Sequence, residues 1–252
     1  PRPRGGAVGG VAPPRPVTAP VGHREREYQR STEQASRHPD LTVGKRLFDL
    51  VVSLLLCVVA VPVVAVVALG AAASLRCWPF FVQERVGTSG RPLRFVKVRT
   101  LPAATPRYAD KYGLSDVAIP PFPALLRRWH LDELPQLFLV PFGRLSLVGP
   151  RPEMPHLHAR MARRFAETRT SVRPGCTGLW QIGAGAERLI LETPQYDLFY
   201  LAHGNLRLDL WILWRTVLLF SGLGRPVELG DVPRWARGRT PPQQRSTRFE
   251  VA

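Results

Sequence analysis

Residues 50–75 read LVVSLLLCVVAVPVVAVVALGAAASL, with no charged side chain from Leu50 to Leu75. At about 1.5 Å rise per residue, a straight helix of this length crosses a hydrocarbon core of roughly 30 Å. Pro62 stands near its middle, where it removes a backbone donor and presses on the preceding turn, so the sequence predicts a kink or break there. Each half is then too short to span. Lys45 and Arg46 precede the segment and Arg76 and Arg85 follow it, and such residues are retained on the cytoplasmic side of a membrane. Like charge at both ends predicts a re-entrant hairpin, with a straight Pro-kinked crossing as the second reading. A buried helix of a water-soluble core fits less well, because few core helices are this long and this apolar on every face.

Beyond the segment the chain reads as α/β, mainly helical. Phe80–Gln83 and Leu93–Arg99 flank the turn-prone Gly87-Thr88-Ser89-Gly90-Arg91-Pro92, a pattern for two short strands around a loop. Residues 100–123, with several prolines, read as irregular. Apolar positions from Pro123 to Val140 predict a helix in which Pro135 must lie at a start or kink. A second helix is expected over Pro155–Thr168, and a third, strongly apolar one over Leu208–Phe220, where tryptophans suit either a membrane interface or a core. Residues 1–40 are rich in Pro, Gly and Arg without an apolar period, which predicts a disordered basic arm. The first residues carry no pattern of a cleavable signal peptide. Residues 225–252, with Pro226, Pro233, Pro241 and Pro242 among arginines, predict a second disordered tail. The expected domain is therefore 41–224, a small membrane-associated catalytic unit with its membrane segment at about 47–75.

The formal charge of +16 implies an anionic partner: nucleic acid, a lipid headgroup surface or a phosphorylated substrate. Nearly all of it is arginine, since the only lysines are Lys45, Lys97 and Lys111, and the planar guanidinium suits bidentate phosphate contacts. No nucleic-acid recognition motif accompanies the charge, and a nucleic-acid binder would leave the apolar segment unexplained. Cys57, Cys77 and Cys176 have no CxxC spacing, which argues against a zinc site or a disulfide framework.

Candidate chemistry centres on Leu131-Asp132-Glu133-Leu134-Pro135-Gln136 and Val148-Gly149-Pro150-Arg151-Pro152-Glu153. Adjacent carboxylates on a helix diverge by about 100° and can serve different partners. Without a metal or nearby arginines each would raise the other's pKa; Arg127 and Arg128, about a turn earlier, could offset that repulsion or grip a phosphate. Isolated, such a pair is usually a surface ion pair. Its company raises its meaning. Arg151 between two prolines emerges from a stiff backbone, and Lys97 and Arg99, alternating with Val96 and Val98, share one strand face and would converge on one anion. Pro174-Gly175-Cys176-Thr177-Gly178-Leu179-Trp180-Gln181 is a turn-rich element whose glycines allow close backbone approach, and whose Trp180 could stack on a base.

Taken in order, Lys45–Asp49, the apolar segment, Gln83–Gly87, Lys97–Thr100, Leu131–Gln136, Val148–Glu153 and Pro174–Gly178, with Asp197, Tyr200, Asp209 and Thr216, closely resemble the bacterial sugar transferase family of monotopic polyprenyl-phosphate phosphoglycosyl transferases. The resemblance implies that Asp132 is a nucleophile taking a sugar phosphate from a nucleotide sugar, with UDP the expected carrier, and that Asp132 and Glu133 hold Mg²⁺. It further implies substrate-binding roles for Lys97, Arg99, Arg127, Arg128, Arg151, Glu153, Gln181 and Asp197. Polyprenyl phosphate would be the acceptor, membrane lipid the environment, the cytoplasmic face of the cell membrane the location, and nucleic acid no partner. The product would open exopolysaccharide or glycoconjugate assembly. A catalytically silent relative acting as scaffold or lipid binder is the alternative, which the intact carboxylate pair opposes. The chain departs from the family at Val61, where serine often precedes the membrane proline, and at Gln181-Ile182-Gly183-Ala184-Gly185, which lacks a common arginine and so bears on donor specificity.

Overall fold

A computed structural model describes residues 43–108, 114 and 117–237. The expected arm over 1–40 and the end of the expected tail, 238–252, lie outside the described residues. The described elements run α1 (Val43–Leu75), β1 (Phe80–Val86), β2 (Pro92–Val98), α2 (Pro121–Arg128), a 3-10 segment (Leu131–Leu139), β3 (Ser146–Val148), α3 (Pro155–His158), α4 (Arg163–Thr170), β4 (Gly175–Thr177), α5 (Gln195–His203) and α6 (Leu206–Phe220), mixed α/β and mainly helical. β1 and β2 form the expected antiparallel hairpin, in register from Phe80 opposite Val98 to Val86 opposite Pro92. Ser89 and Gly90 take left-handed backbone angles to turn it.

Helix α1 runs unbroken through Pro62, so the expected break is not seen. Proline withholds one hydrogen bond, from the carbonyl four residues back, while Ala60 and Val64 on either side of Pro62 are both buried against the body, in one stripe with Val67, Ala68 and Ala71. That stripe holds the two halves as one helix. Toward its C-terminal end the helix packs with Val98 and Leu126, and Phe122 lies against Gly70. Its other end is fixed by charge. Lys45 donates to the Val148 carbonyl at 3.0 Å and pairs with buried Asp209 at 2.6 Å, which also lies 2.8 Å from the Tyr200 hydroxyl. Arg46 donates to the carbonyls of Val140 and Pro141. Buried Asp49 accepts from the Ser146 hydroxyl at 2.7 Å and the Leu147 amide at 3.2 Å. The remaining face is bare: Val58, Val59, Val66 and Leu69 are 65–73 % exposed. A core helix would cover them, and a face of this kind suits a bilayer rather than water.

The main core gathers Phe95, Leu145, Leu147, Phe165, Leu179, Ile182, Tyr200, Leu208 and Ile212 from both sheets and the C-terminal helices. At its centre β3 and β4 pair in parallel, Ser146 with Gly175 and Val148 with Thr177. Beyond Val148 the chains nearly touch: a Cβ on Gly175 would meet the Gly149 nitrogen at 2.1 Å. Only glycine fits there, and the contact fixes where Pro150-Arg151-Pro152 leaves the sheet.

Three expected elements differ. The helix expected over 123–140 ends at Arg128, and His130 takes a left-handed backbone angle, φ 53°, before the 3-10 turns that contain Pro135. The helix expected over 155–168 is two pieces, α3 and α4, separated by residues 159–162. Residues 225–237 of the expected disordered tail pack on the body: Val227 bridges to Gly183, Val232 and Ala236 are buried, and Asn205 donates to the Ala236 carbonyl at 2.9 Å. Three small apolar side chains outweigh the prolines around them.

Candidate active site

In a 3-10 helix successive side chains diverge by about 120°, and the turns beginning at Leu131 use that divergence to separate Asp132 from Glu133. Glu133 faces the hairpin and the Pro150–Pro152 loop. Arg151 grips it with both forks, at 2.7 and 3.1 Å, and Lys97 of β2 ion-pairs with the same carboxylate. Burial alone would raise the Glu133 carboxyl, but Arg151 and Lys97 outweigh it and hold it well below the usual range. Asp132 is 6 % exposed. Burial first, then the charge of Glu133, pushes its carboxyl up to about 6, against the weaker pull of Lys97 and Arg127.

The pair lines a cavity of about 540 Å³, within the range of small-molecule sites. One side is cationic. Lys97, Arg85 and Arg151 surround the buried Phe95 ring at 5.5–5.9 Å, an arrangement that stabilises desolvated cations. Arg85 donates to Gln83 at 2.8 Å and lies 3.9 Å from Glu153. Arg99 stacks on Phe81 and donates to the Trp78 carbonyl at 3.1 Å, and Arg127 reaches the Thr100 hydroxyl at 3.3 Å. The other side is apolar, formed by Leu56 of α1 and Leu213 and Phe220 of α6. Thr177 and Thr216, hydrogen-bonded at 2.9 Å, join β4 to α6 along it.

Of the residues singled out in the sequence, Asp132, Glu133, Lys97, Arg99, Arg127, Arg151, Glu153 and Gln181 come together around this cavity. Lys97 and Arg99 share it but do not converge on one anion, because Lys97 is taken by Glu133 and Arg99 turns toward Trp78. Arg128 is exposed and does not line the cavity, since one residue's step on α2 turns it away from Arg127. Asp197 does not reach the cavity either. It is 1 % exposed and pairs with Arg169 at 2.6 Å, and Arg169 in turn donates to the Arg151 carbonyl. Its place is behind the loop, holding the arginine that holds Arg151.

Arg85 and Gln136 also line the cavity and were not expected there. The sequence signal for Arg85 is its alternation with Gln83, which puts two polar side chains on one strand face, and the structure buries both. Among the described residues no cluster of three or more carboxylate, histidine or cysteine groups converges. A divalent cation here would therefore rest on the carboxylate pair and on substrate oxygens, the manner in which Mg²⁺ is commonly held.

The profile of the family described as Bacterial sugar transferase matches residues 41–222. The UDP-glucose:undecaprenyl-phosphate glucose-1-phosphate transferase of Klebsiella pneumoniae is 35 % identical over 186 residues, 69 % of this chain and 39 % of that protein. The UDP-galactose-lipid carrier transferase of Erwinia amylovora is 31 % identical over 192 residues, again 69 % of this chain and 39 % of that protein. The uncharacterized sugar transferase EpsL of Bacillus subtilis is 37 % identical over 184 residues, 69 % of this chain and 85 % of that protein. The chain thus spans about two fifths of the length of the first two relatives.

Proposed function

Because the chain belongs to the bacterial sugar transferase family, we propose that it transfers a sugar 1-phosphate from a nucleotide sugar, UDP-linked, to polyprenyl phosphate, with Asp132 as the nucleophile. The observation that carries this reading is the contrast within the carboxylate pair. Glu133 is engaged by Arg151 and Lys97, whereas Asp132 lines the same cavity with no side-chain ion pair to any described residue.

In the first step an Asp132 oxygen attacks the phosphorus that bears the sugar. An Asp132 O–P bond forms, the bridging P–O bond of the diphosphate breaks, and UMP leaves with that electron pair. In the second step an oxygen of the polyprenyl phosphate attacks the same phosphorus and the Asp132 O–P bond breaks, regenerating the carboxylate and giving a polyprenyl diphosphate sugar. Covalent catalysis lets the soluble donor product leave before the lipid arrives. Arg85, Arg99 and Arg127, which line the cavity and are not claimed by Glu133, would bind the donor's phosphates, while Lys97 and Arg151 keep Glu133 ionised. Mg²⁺, held by Asp132 and Glu133 together with substrate phosphates, would supply the positive charge that lets an anionic nucleophile approach a diphosphate. The Asp132 carboxyl, pushed up to about 6 by burial and by the charge of Glu133, is the acid of the pair whose ionisation a bound cation would most favour.

We also propose that both ends of α1 lie on the cytoplasmic face, the helix dipping into the membrane and returning through a bend at Pro62 within its continuous run. The support is that its two ends seat on one body, Lys45 on Asp209 and Ala71 against Val98 and Leu126. The apolar wall of Leu56, Leu213 and Phe220 then opens the cavity toward the lipid acceptor.

The test is UMP release from UDP-sugars by the detergent-solubilised chain with Mg²⁺, with and without polyprenyl phosphate. A single-turnover burst of UMP without lipid, a phosphosugar adduct on Asp132 by mass spectrometry, and loss of both in Asp132→Asn are the expected results. Normal turnover by Asp132→Asn would overturn the assignment.

A further inference from the structure

Among the described residues, two carboxamides lining this cavity carry buried atoms that have no hydrogen-bond partner. Both the nitrogen and the oxygen of the Gln181 side chain are buried without a hydrogen-bond partner, and so is Nε2 of Gln136, a residue 1 % exposed. Buried polar groups are overwhelmingly paired, and each bond left unmade weakens the fold. Both residues line the cavity. Gln181 is also held in place by its loop. A Cβ on Gly178 would meet the Gln181 Oε1 at 2.7 Å and the Gly149 carbonyl at 2.2 Å, so the carboxamide lies folded over a glycine that leaves room for nothing else.

The chemistry of the missing partner follows from the amide. Phosphates are served by the cavity's cations and would be repelled by an amide oxygen. Gln181 presents an unpaired donor and an unpaired acceptor side by side, the complement of a sugar hydroxyl or of the imide edge of a pyrimidine, and Gln136 adds a single unpaired donor. Position separates the two. In a 3-10 helix residues three apart eclipse, so Gln136 stands on the edge that carries Glu133, roughly 6 Å along the axis from it. In-line attack by Asp132 drives the nucleotide away on the far side of phosphorus, while the sugar stays bonded to the atom attacked. We propose that Gln181, with Gln136 beside the catalytic pair, reads the hydroxyls of the donated sugar and sets which nucleotide sugar the chain accepts. This rests on the transferase reading above.

The experiment uses the full chain in detergent and two readouts. Binding of UDP-glucose, UDP-galactose, UDP-N-acetylgalactosamine and UMP is measured by calorimetry in the non-turning Asp132→Asn background, alone and combined with Gln181→Met or Gln136→Met. UMP release is measured separately in the same glutamine variants with Asp132 intact. Methionine keeps the length of glutamine and removes its hydrogen-bonding atoms, so the variants are expected to melt no lower than the parent. The parent should prefer one sugar by roughly tenfold or more, and Gln181→Met should bring the donors within about threefold of one another while UMP binds as before. Gln136→Met should move the same ratio in the same direction. If UMP weakens in step with every donor and the ratio survives, the amide reads the base and the proposal falls. An unchanged ratio in both variants, or a parent that does not distinguish the sugars, overturns it as well. Donors that are bound and distinguished through Gln181 but never cleaved would refute the transferase reading and leave the sugar-reading assignment standing.

Discussion

Asp132 and Glu133 are neighbours in sequence with opposite electrostatic fates, and their difference has measurable signs. Asp132 titrates in the fold at about 6 against an ordinary 3.8, so the folded chain binds its proton more tightly than the unfolded chain does. Its contribution to stability is therefore present below pH 3.8 and is lost as pH rises through 6, at most about 3 kcal/mol. Asp132→Asn should be more stable than the parent at pH 7.5 by up to that amount, and the gap should close toward pH 4; urea unfolding in detergent at several pH values checks it. On the proposed mechanism Asp132 attacks as its carboxylate, so UMP release at limiting Mg²⁺ should rise with pH to a midpoint near 6, and saturating Mg²⁺ should move that midpoint lower. Arg151 answers to a different rule. Removing one partner of a buried, hydrogen-bonded pair leaves the other charge exposed to a poor medium, so Arg151→Ala should destabilise by roughly 3–5 kcal/mol. Arg151→Lys, which keeps the charge and loses the fork, should recover part of that stability but not the donor kcat/KM.

Among the elements, the parallel pair β3–β4 carries the loop on which Glu133 depends, and its tolerance is narrow. Gly175→Ala would drive a methyl group to 2.1 Å from the Gly149 nitrogen, so we expect a chain that folds poorly or loses donor binding outright, seen as loss of a cooperative melt. The hairpin was legible in the sequence because alternation and a Gly/Pro loop are local signals, and α6 was legible from its apolar run, although its start at the Asn205 cap, which accepts from the amides of Arg207 and Leu208, lies just ahead of that run. The end of α2 was not legible. It turns on the sign of one backbone angle at His130, which residue type does not fix. Most of the candidate site was readable as residue types in order, but not their partners: Lys97 reads as a phosphate ligand until Glu133 lies against it, and Asp197 reads as a site residue until Arg169, 28 positions earlier, is seen to claim it. Gln181 could be picked out by type, yet the lack of a described partner for its buried amide is a property of packing alone.

On the scale of the whole molecule, a chain of charge +16 carries a long apolar helix face and exposed Trp78, Trp129 and Trp214. Charge alone would give binding that salt reverses, whereas a buried apolar helix does not release with salt. The chain should stay with membranes in high salt and leave only in detergent. If α1 is re-entrant, a maleimide that cannot cross the membrane should label Cys77 and an introduced Gly44→Cys from the same side, at a position where a Cβ meets nothing within 4 Å; labelling from opposite sides would mean a crossing helix. The ion pair between Lys45 and Asp209 adds a constraint in time. Its partners are 164 positions apart, and at ribosomal rates of about 5–20 residues per second the lysine of α1 leaves the ribosome roughly 8–30 s before its aspartate. Asp49 likewise waits for Ser146. During that interval the nascent membrane helix carries charges that the finished protein buries, so insertion and folding cannot be separate events. A chain stalled before α6 should present α1 to the cell's quality control as a helix with an unanswered lysine.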